Sequence, residues 1–255
     1  MAGFIVCAQY TPDYRDKADR LGASLEGLEH ALIEVPQVHR STSARGGEDI
    51  AFSKPRFIAS MLAKFQKPIL YLDSDMVVRK SPEMIARLCE EGCDFAIYNW
   101  LADPINDAWR PEPDGRHWRY YFGVDLASDT QLMASGSVQL WRDTPATQRL
   151  LADWEQSLIR HPRSEDDHCL DFAYNHGDRT GLQSRWLPKD YCRYAFWPYV
   201  NPVIDHPEFP TPITGHFEQL GSARFDTSAL RRVTKEMPFS RDAVVDAKTA
   251  FSTGV

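Results

Sequence analysis

The stretch Pro68-Ile69-Leu70-Tyr71-Leu72-Asp73-Ser74-Asp75-Met76-Val77-Val78 constrains this chain more than any other. The apolar run from Ile69 to Leu72 suits a strand buried on both faces, as in the middle of an α/β sheet. Asp73 and Asp75 then stand at its carboxyl end, where open α/β sheets keep their ligands. With alternation, both carboxylates point one way and Ser74 the other. Two adjacent anions repel unless positive charge lies between them. A hard divalent cation, Mg²⁺ or Mn²⁺, prefers such oxygen ligands. The bland alternative is a solvated turn. A turn needs no apolar run ahead of it, and the chain holds no second D-x-D.

The residues ahead of this strand alternate in kind. Phe4 to Gln9 reads as a buried strand, broken by Tyr10-Thr11-Pro12. Asp16 to His30 places Ala18, Leu21, Leu25 and Leu28 on one helical face, and Leu32 to Val35 reads as a second strand. The polar segment Arg40 to Glu48 reads as a loop. Ser53 is a good N-cap, with Lys54 and Pro55 in the first turn of a helix lined by Phe57, Ile58, Met61, Leu62 and Phe65. Strand, helix, strand, helix, strand is the pattern of a doubly wound α/β nucleotide-binding half. No G-x-G-x-x-G follows the first strand, which argues against a dinucleotide cofactor, and no P-loop motif exists.

Beyond the D-x-D, Ser81-Pro82-Glu83 opens a helix through Glu91, and Asp94 to Tyr98 is a strand. Asn99 to Asp129 is irregular and rich in Trp, Pro and Arg. Loops of that length are functional or are surface insertions. Gln131 to Trp141 reads as a strand, and Thr144-Pro145 caps a helix with Leu150, Leu151, Trp154 and Leu158 on its face. Ser164 and Asp167 resemble a capping box, so Asp167 can serve a helix start as readily as a reaction. Trp186 to Ile204 reads as short strands and turns, followed by His206 and His216. The tail from Thr227 to Phe251 has two weakly amphipathic stretches.

The length of 255 residues fits one large domain or two closely fused halves, a nucleotide-binding half over 1–80 and a second half over 81–222 (the acceptor half, if the resemblance given below holds), with a tail over 223–255. Five cysteines match neither zinc spacings nor a disulfide framework and suit reduced thiols in a cytoplasm. No apolar run is long enough to span a membrane, and the first residues carry no basic, cleavable leader. A net charge of −7 argues against a nucleic-acid partner. It also requires that any anionic substrate meet locally placed positive charge, from a metal or a few Lys and Arg residues.

Taken in order, several stretches resemble the GT-A-fold glycosyltransferases, closest to the family-eight and related nucleotide-diphospho-sugar transferases. They are Ser53-Lys54-Pro55, Ile69 through Asp75, Ala134-Ser135-Gly136-Ser137-Val138 through Trp141, Glu165-Asp166-Asp167, and Val203-Ile204-Asp205-His206. The resemblance covers residues 4 to 220. It implies a mixed, mostly parallel sheet flanked by helices, a UDP- or GDP-sugar donor, and Mn²⁺ or Mg²⁺. It implies that Asp73, Asp75 and His206 ligate the metal, Asp75 most firmly, with His216 as rival to His206. It places Asp73 also at the donor ribose, Lys54 at the diphosphate or sugar, Tyr10 and Thr11 at base and ribose, and Ser135 at the donor. Asp166 and Asp167 become the catalytic acids. The chain departs from the pattern at Ala134-Ser135, where an Asn is usual, and at Asp166-Asp167, where Asp-Gln is usual.

Three other readings compete. A haloacid-dehalogenase-type phosphatase would use Asp73 as nucleophile, but its D-x-D sits on the first strand, whereas two strand–helix units precede this one. A sugar-nucleotide pyrophosphorylase would need a Gly-rich loop after strand one. A non-catalytic carbohydrate-binding protein of the same fold would stack sugars on exposed Trp100, Trp109 and Trp118.

Overall fold

The computed structural model describes residues 3–36, 50–100, 102, 131–161, 166–194 and 202–207. Among these, six strands form one sheet in the order β2-β1-β3-β6-β5-β7: β1 (Ile5–Tyr10), β2 (His30–Glu34), β3 (Ile69–Leu72), β5 (Phe95–Asn99), β6 (Ala134–Trp141) and β7 (Ser184–Leu187). β1 pairs parallel with β2 and β3, and β5 parallel with β7. β6 pairs antiparallel with both β3 and β5, so it alone of the six runs against the rest. The sheet is mixed and mostly parallel, as expected.

Alternation along the strands sorts the core into two layers. Ile5, Cys7, Ile69, Tyr71, Phe95 and Trp141 face α2 (Ile50–Phe65), α4 (Pro145–Arg160) and α5 (Asp166–His176). Phe4, Val6, Leu70, Leu72, Ala96 and Leu140 face α1 (Arg15–Ser24) and α3 (Glu83–Glu90). Helices therefore cover both faces, which is why the strands read as continuous apolar runs. A smaller sheet, β4-β9-β8, joins β4 (Val77–Val78) antiparallel to β9 (Ile204–His206), with β8 (Arg193–Tyr194) parallel beside it. The bidentate approach of Arg79 to Asp205 Oδ2, at 3.2 and 3.0 Å, fastens this join.

Four expectations change. α1 stops at Ser24, because Gly27 takes a left-handed φ of 79° that turns the chain into β2, and His30 belongs to that strand. α2 already runs at Ile50, so Ser53 is not its N-cap and Pro55 lies inside the helix. The Ser53 hydroxyl instead donates, to the Ile50 carbonyl at 2.8 Å or Gln9 Oε1 at 2.9 Å, a use of serine that helix interiors permit. The strand before the D-x-D ends at Leu72 as read, but its alternation does not run on to Asp75: residues 73–76 turn, closed by Met76 N–H donating to the Asp73 carbonyl at 3.0 Å. Trp100 is buried against the edge of Tyr98 and offers no open ring for sugar stacking. Thr144 does cap α4, in a capping box with Thr147. The segment 40–48, most of 99–129, Ser164, Glu165, Trp109, Trp118, His216 and the tail over 223–255 lie outside the described residues.

Candidate active site

The site lies at the carboxyl end of β3, where the turn at 73–76 sends the two carboxylates apart. Asp73 continues the alternation of Tyr71 and faces α2. Its Oδ1 lies 2.9 Å from Lys54 Nζ. The same ammonium lies 2.7 Å from Asp166 Oδ2 in the first turn of α5. Lys54 therefore bridges the D-x-D to the Asp166-Asp167 pair from a nearly buried position. Asp75 turns the other way, toward α1 and β9. Its Oδ2 lies 3.2 Å from His206 Nε2 and 4.0 Å from Lys17 Nζ, and its carbonyl accepts from Arg20 at 3.4 Å. The shared direction expected of the two carboxylates fails because the extended backbone ends before the second one.

The ladder explains why His206 arrives. β4 and β9 pair Val77 with Asp205 and Val78 with Ile204. The same antiparallel register brings His206 beside the turn that carries Asp75. Asp166 and Asp167 are held over β6 by several ties. Trp154 Nε1 of α4 donates to the Asp166 carbonyl at 2.8 Å. Asp171 Oδ1 accepts from Ala134 N–H at 2.5 Å, and Asn175 Oδ1 accepts from the N–H groups of Gln131 and Leu132. Gly136 of β6 lies against Asp166 and Lys54: a Cβ there would stand in ordinary contact, 3.4 Å from Asp166 Oδ2 and 3.7 Å from Lys54 Nζ.

The charges set one another's protonation. Burial works against the Lys54 ammonium, but Asp166 and Asp73 hold its pKa well above the ordinary lysine value. Burial pushes the Asp166 carboxyl up, with Lys54 opposing and Asp167 and Asp73 adding. Such a carboxylate is a better proton acceptor near neutral pH than a solvated one. At the other end, His206 and Lys17 overcome burial and hold Asp75 below its ordinary value, and Asp75 raises His206 in return.

Tyr10 ends β1 at the same carboxyl edge of the sheet, and Thr11, which is buried, follows it. Ser135 lies on the opposite side of β6 from Gly136, its hydroxyl buried 3.1 Å from Cys192 Sγ. Sequence reasoning missed Lys17, Arg20, Tyr71 and Gly136. The need for local cations in an acidic chain, and the i, i+3 spacing of Lys17 and Arg20 on one helix, were the available signals.

The donor set suits a hard cation in part. A carboxylate and an imidazole already converge at Asp75 and His206. Among the described residues, no three His, Cys, Asp or Glu side chains group closely enough to hold a metal ion by themselves. Asp73 is turned to Lys54. An ion at Asp75 and His206 would need further oxygen ligands from outside these two side chains.

No family model matches the chain, and no curated protein matches it in sequence. Solved structures do. WbbM, a bifunctional glycosyltransferase, aligns with a TM-score of 0.54 at 9% identity over 80% of this chain, which spans 45% of WbbM's length. A glycosyltransferase involved in glycosylating the major capsid of PBCV-1 aligns at 0.51 and 14% identity, over 85% of this chain and 98% of that one. The galactosyltransferase LgtC, solved with donor and acceptor sugar analogues, aligns at 0.52 and 9% identity, over 92% and 97%. The likeness is one of fold: the chain has the GT-A-like architecture of these glycosyltransferases.

Proposed function

We propose that the chain is a metal-dependent glycosyltransferase that moves a sugar from a nucleotide-diphosphate donor, a UDP- or GDP-sugar, to an acceptor hydroxyl. The observation that carries this reading is the convergence, at one end of β3, of two kinds of charge. Asp75 with His206 suits an ion on a diphosphate, and Lys54 with Asp166 and Asp167 suits the sugar that the diphosphate leaves.

In this reading Tyr10 and Thr11 hold base and ribose, and Asp73 meets the ribose or the ion. Asp75 and His206 hold Mn²⁺ or Mg²⁺. A divalent cation there supplies positive charge against the charge that grows on the departing diphosphate, worth several kcal/mol. Lys17 and Arg20, on the same side, add to that positive field. Asp166 or Asp167 accepts the acceptor's proton or balances the oxocarbenium-like carbon. Lys54 keeps the acids at fixed spacing.

The test is donor cleavage. Purified protein with Mn²⁺ is expected to hydrolyse one of a panel of UDP- and GDP-sugars, and Asp75→Asn to lose that activity with its fold intact. Full activity in Asp75→Asn, or in excess chelator, would overturn the reading. The phosphatase alternative is weakened by the position of the motif on the third strand of the chain. The non-catalytic alternative loses Trp100 as a stacking platform.

A further inference from the structure

The protein's grip on Asp73 falls on one oxygen. Lys54 Nζ reaches Oδ1 at 2.9 Å, and Tyr71 Oη donates to the same Oδ1 at 3.1 Å. Among the described residues no hydrogen bond or ion pair falls on Oδ2, and the Asp73 side chain keeps 27% of its surface exposed. Tyr71 itself is 1% exposed. Its ring stands edge-on to Phe57, centroids 6.0 Å apart, and Lys54 Nζ lies 5.6 Å from its centroid. Phe57 and Lys54 both belong to α2, so ring, ammonium and carboxylate form one packed block. A buried phenol needs a partner for its proton, and it finds one two residues along its own strand, where side chains share a face.

We propose that Tyr71 is a positioning residue: its hydroxyl, with Lys54, ties down Oδ1 of Asp73 and so presents Oδ2 to the donor. The proposal rests on the reading of this cleft as a nucleotide-sugar site. Lys54 alone does not suffice, because its ammonium is shared with Asp166 at 2.7 Å. Without the phenol, Asp73 is free to rotate and offer either oxygen.

The experiment uses Tyr71→Phe, which keeps the ring and removes only the hydroxyl. Binding of UDP in the presence of Mn²⁺ is measured by calorimetry for the natural chain, Tyr71→Phe, Asp73→Ala and the double variant. Tyr71→Phe is expected to weaken binding about five- to thirtyfold. Added to Asp73→Ala it is expected to change nothing further, because the hydroxyl acts only through that carboxylate. Additive losses, or natural affinity in Tyr71→Phe, would overturn the proposal. A tyrosine that merely fills the core would lower Tm equally in both backgrounds and leave affinity alone. A ligand-free crystal structure of Tyr71→Phe provides a second readout. Asp73 in more than one rotamer supports the role, and one unchanged rotamer with Oδ1 on Lys54 refutes it. If the natural chain binds no UDP with Mn²⁺, the functional reading fails, and the rotamer of Asp73 still decides the role of Tyr71.

Discussion

Lys54 is the residue on which the two halves of the cleft depend. It is a buried cation facing two carboxylates from different elements. Replacing it by Met removes the charge and roughly keeps the stem. Breaking a buried pair in this way costs about 3 kcal/mol or more, because the partners are left uncompensated. The sign of the accompanying pH effect follows from Asp166. Its folded pKa already lies above the unfolded one, and loss of Lys54 raises it further. A raised acid binds more protons folded than unfolded, so stability is lost as pH rises through that window and regained as it falls. Thermal melts of Lys54→Met are therefore expected to show a deficit at pH 7 that shrinks by pH 5. A deficit independent of pH would separate Lys54 from Asp166. On the opposite side, His206→Ala is expected to weaken Mn²⁺-supported UDP binding by about ten- to a hundredfold, read by calorimetry. Of these residues Lys54, Asp73, Asp75, Asp166 and His206 were legible as a set. Their pairing was not, since nothing local says that a lysine inside α2 lies between two acids. Tyr71 was read only as part of an apolar run, although its i, i+2 relation to Asp73 already placed both on one face.

At the level of elements, the strength of a sequence signal followed the length of its period. β1-α1-β2-α2-β3 was legible because each piece is long enough to show a buried apolar run or a helical face. β4 and β8 span two residues each and carry no period, so the small sheet could not be seen. The turn at 73–76 was hidden for a related reason: Val77 and Val78 resume an apolar run and suggest that one strand continues. Helix starts were read from caps, which succeeded at Thr144 and failed at Ser53. Thr144 lies in extended backbone and bonds the Thr147 N–H, whereas Ser53 is already helical. Thr144→Ala is expected to cost about 1 kcal/mol in denaturant unfolding, with no effect on UDP affinity. Trp154→Phe is a sharper test of how α4 steers the acids. It keeps an aromatic ring near Trp141, which stacks on Trp154 with centroids 6.2 Å apart, and removes the hydrogen bond to the Asp166 carbonyl. It is expected to lower stability by about 1 kcal/mol and donor cleavage by a larger factor than that loss alone explains.

For the whole molecule, an acidic chain that is to take the proposed anionic donor must place some of its 29 Lys and Arg residues at the site. Lys17, Arg20 and Lys54 gather round the D-x-D while the net charge stays at −7. UDP with Mn²⁺ at about a hundred times its Kd is expected to add about 2.7 kcal/mol, a rise in Tm of several degrees, and chelator to cancel it. The same shift without added metal would count against Asp75 and His206 as an ion seat. Among the described residues no helix is long and apolar enough to cross a membrane. The join between β4 and β9 carries a consequence for the order in which the molecule is made. All six strands of the large sheet have been synthesised by Leu187, but Asp75 meets its imidazole only when the chain has been extended through His206. A polypeptide halted or clipped in between would own the whole scaffold and half of the claw, so the ion seat proposed above would exist only in a chain translated past that point.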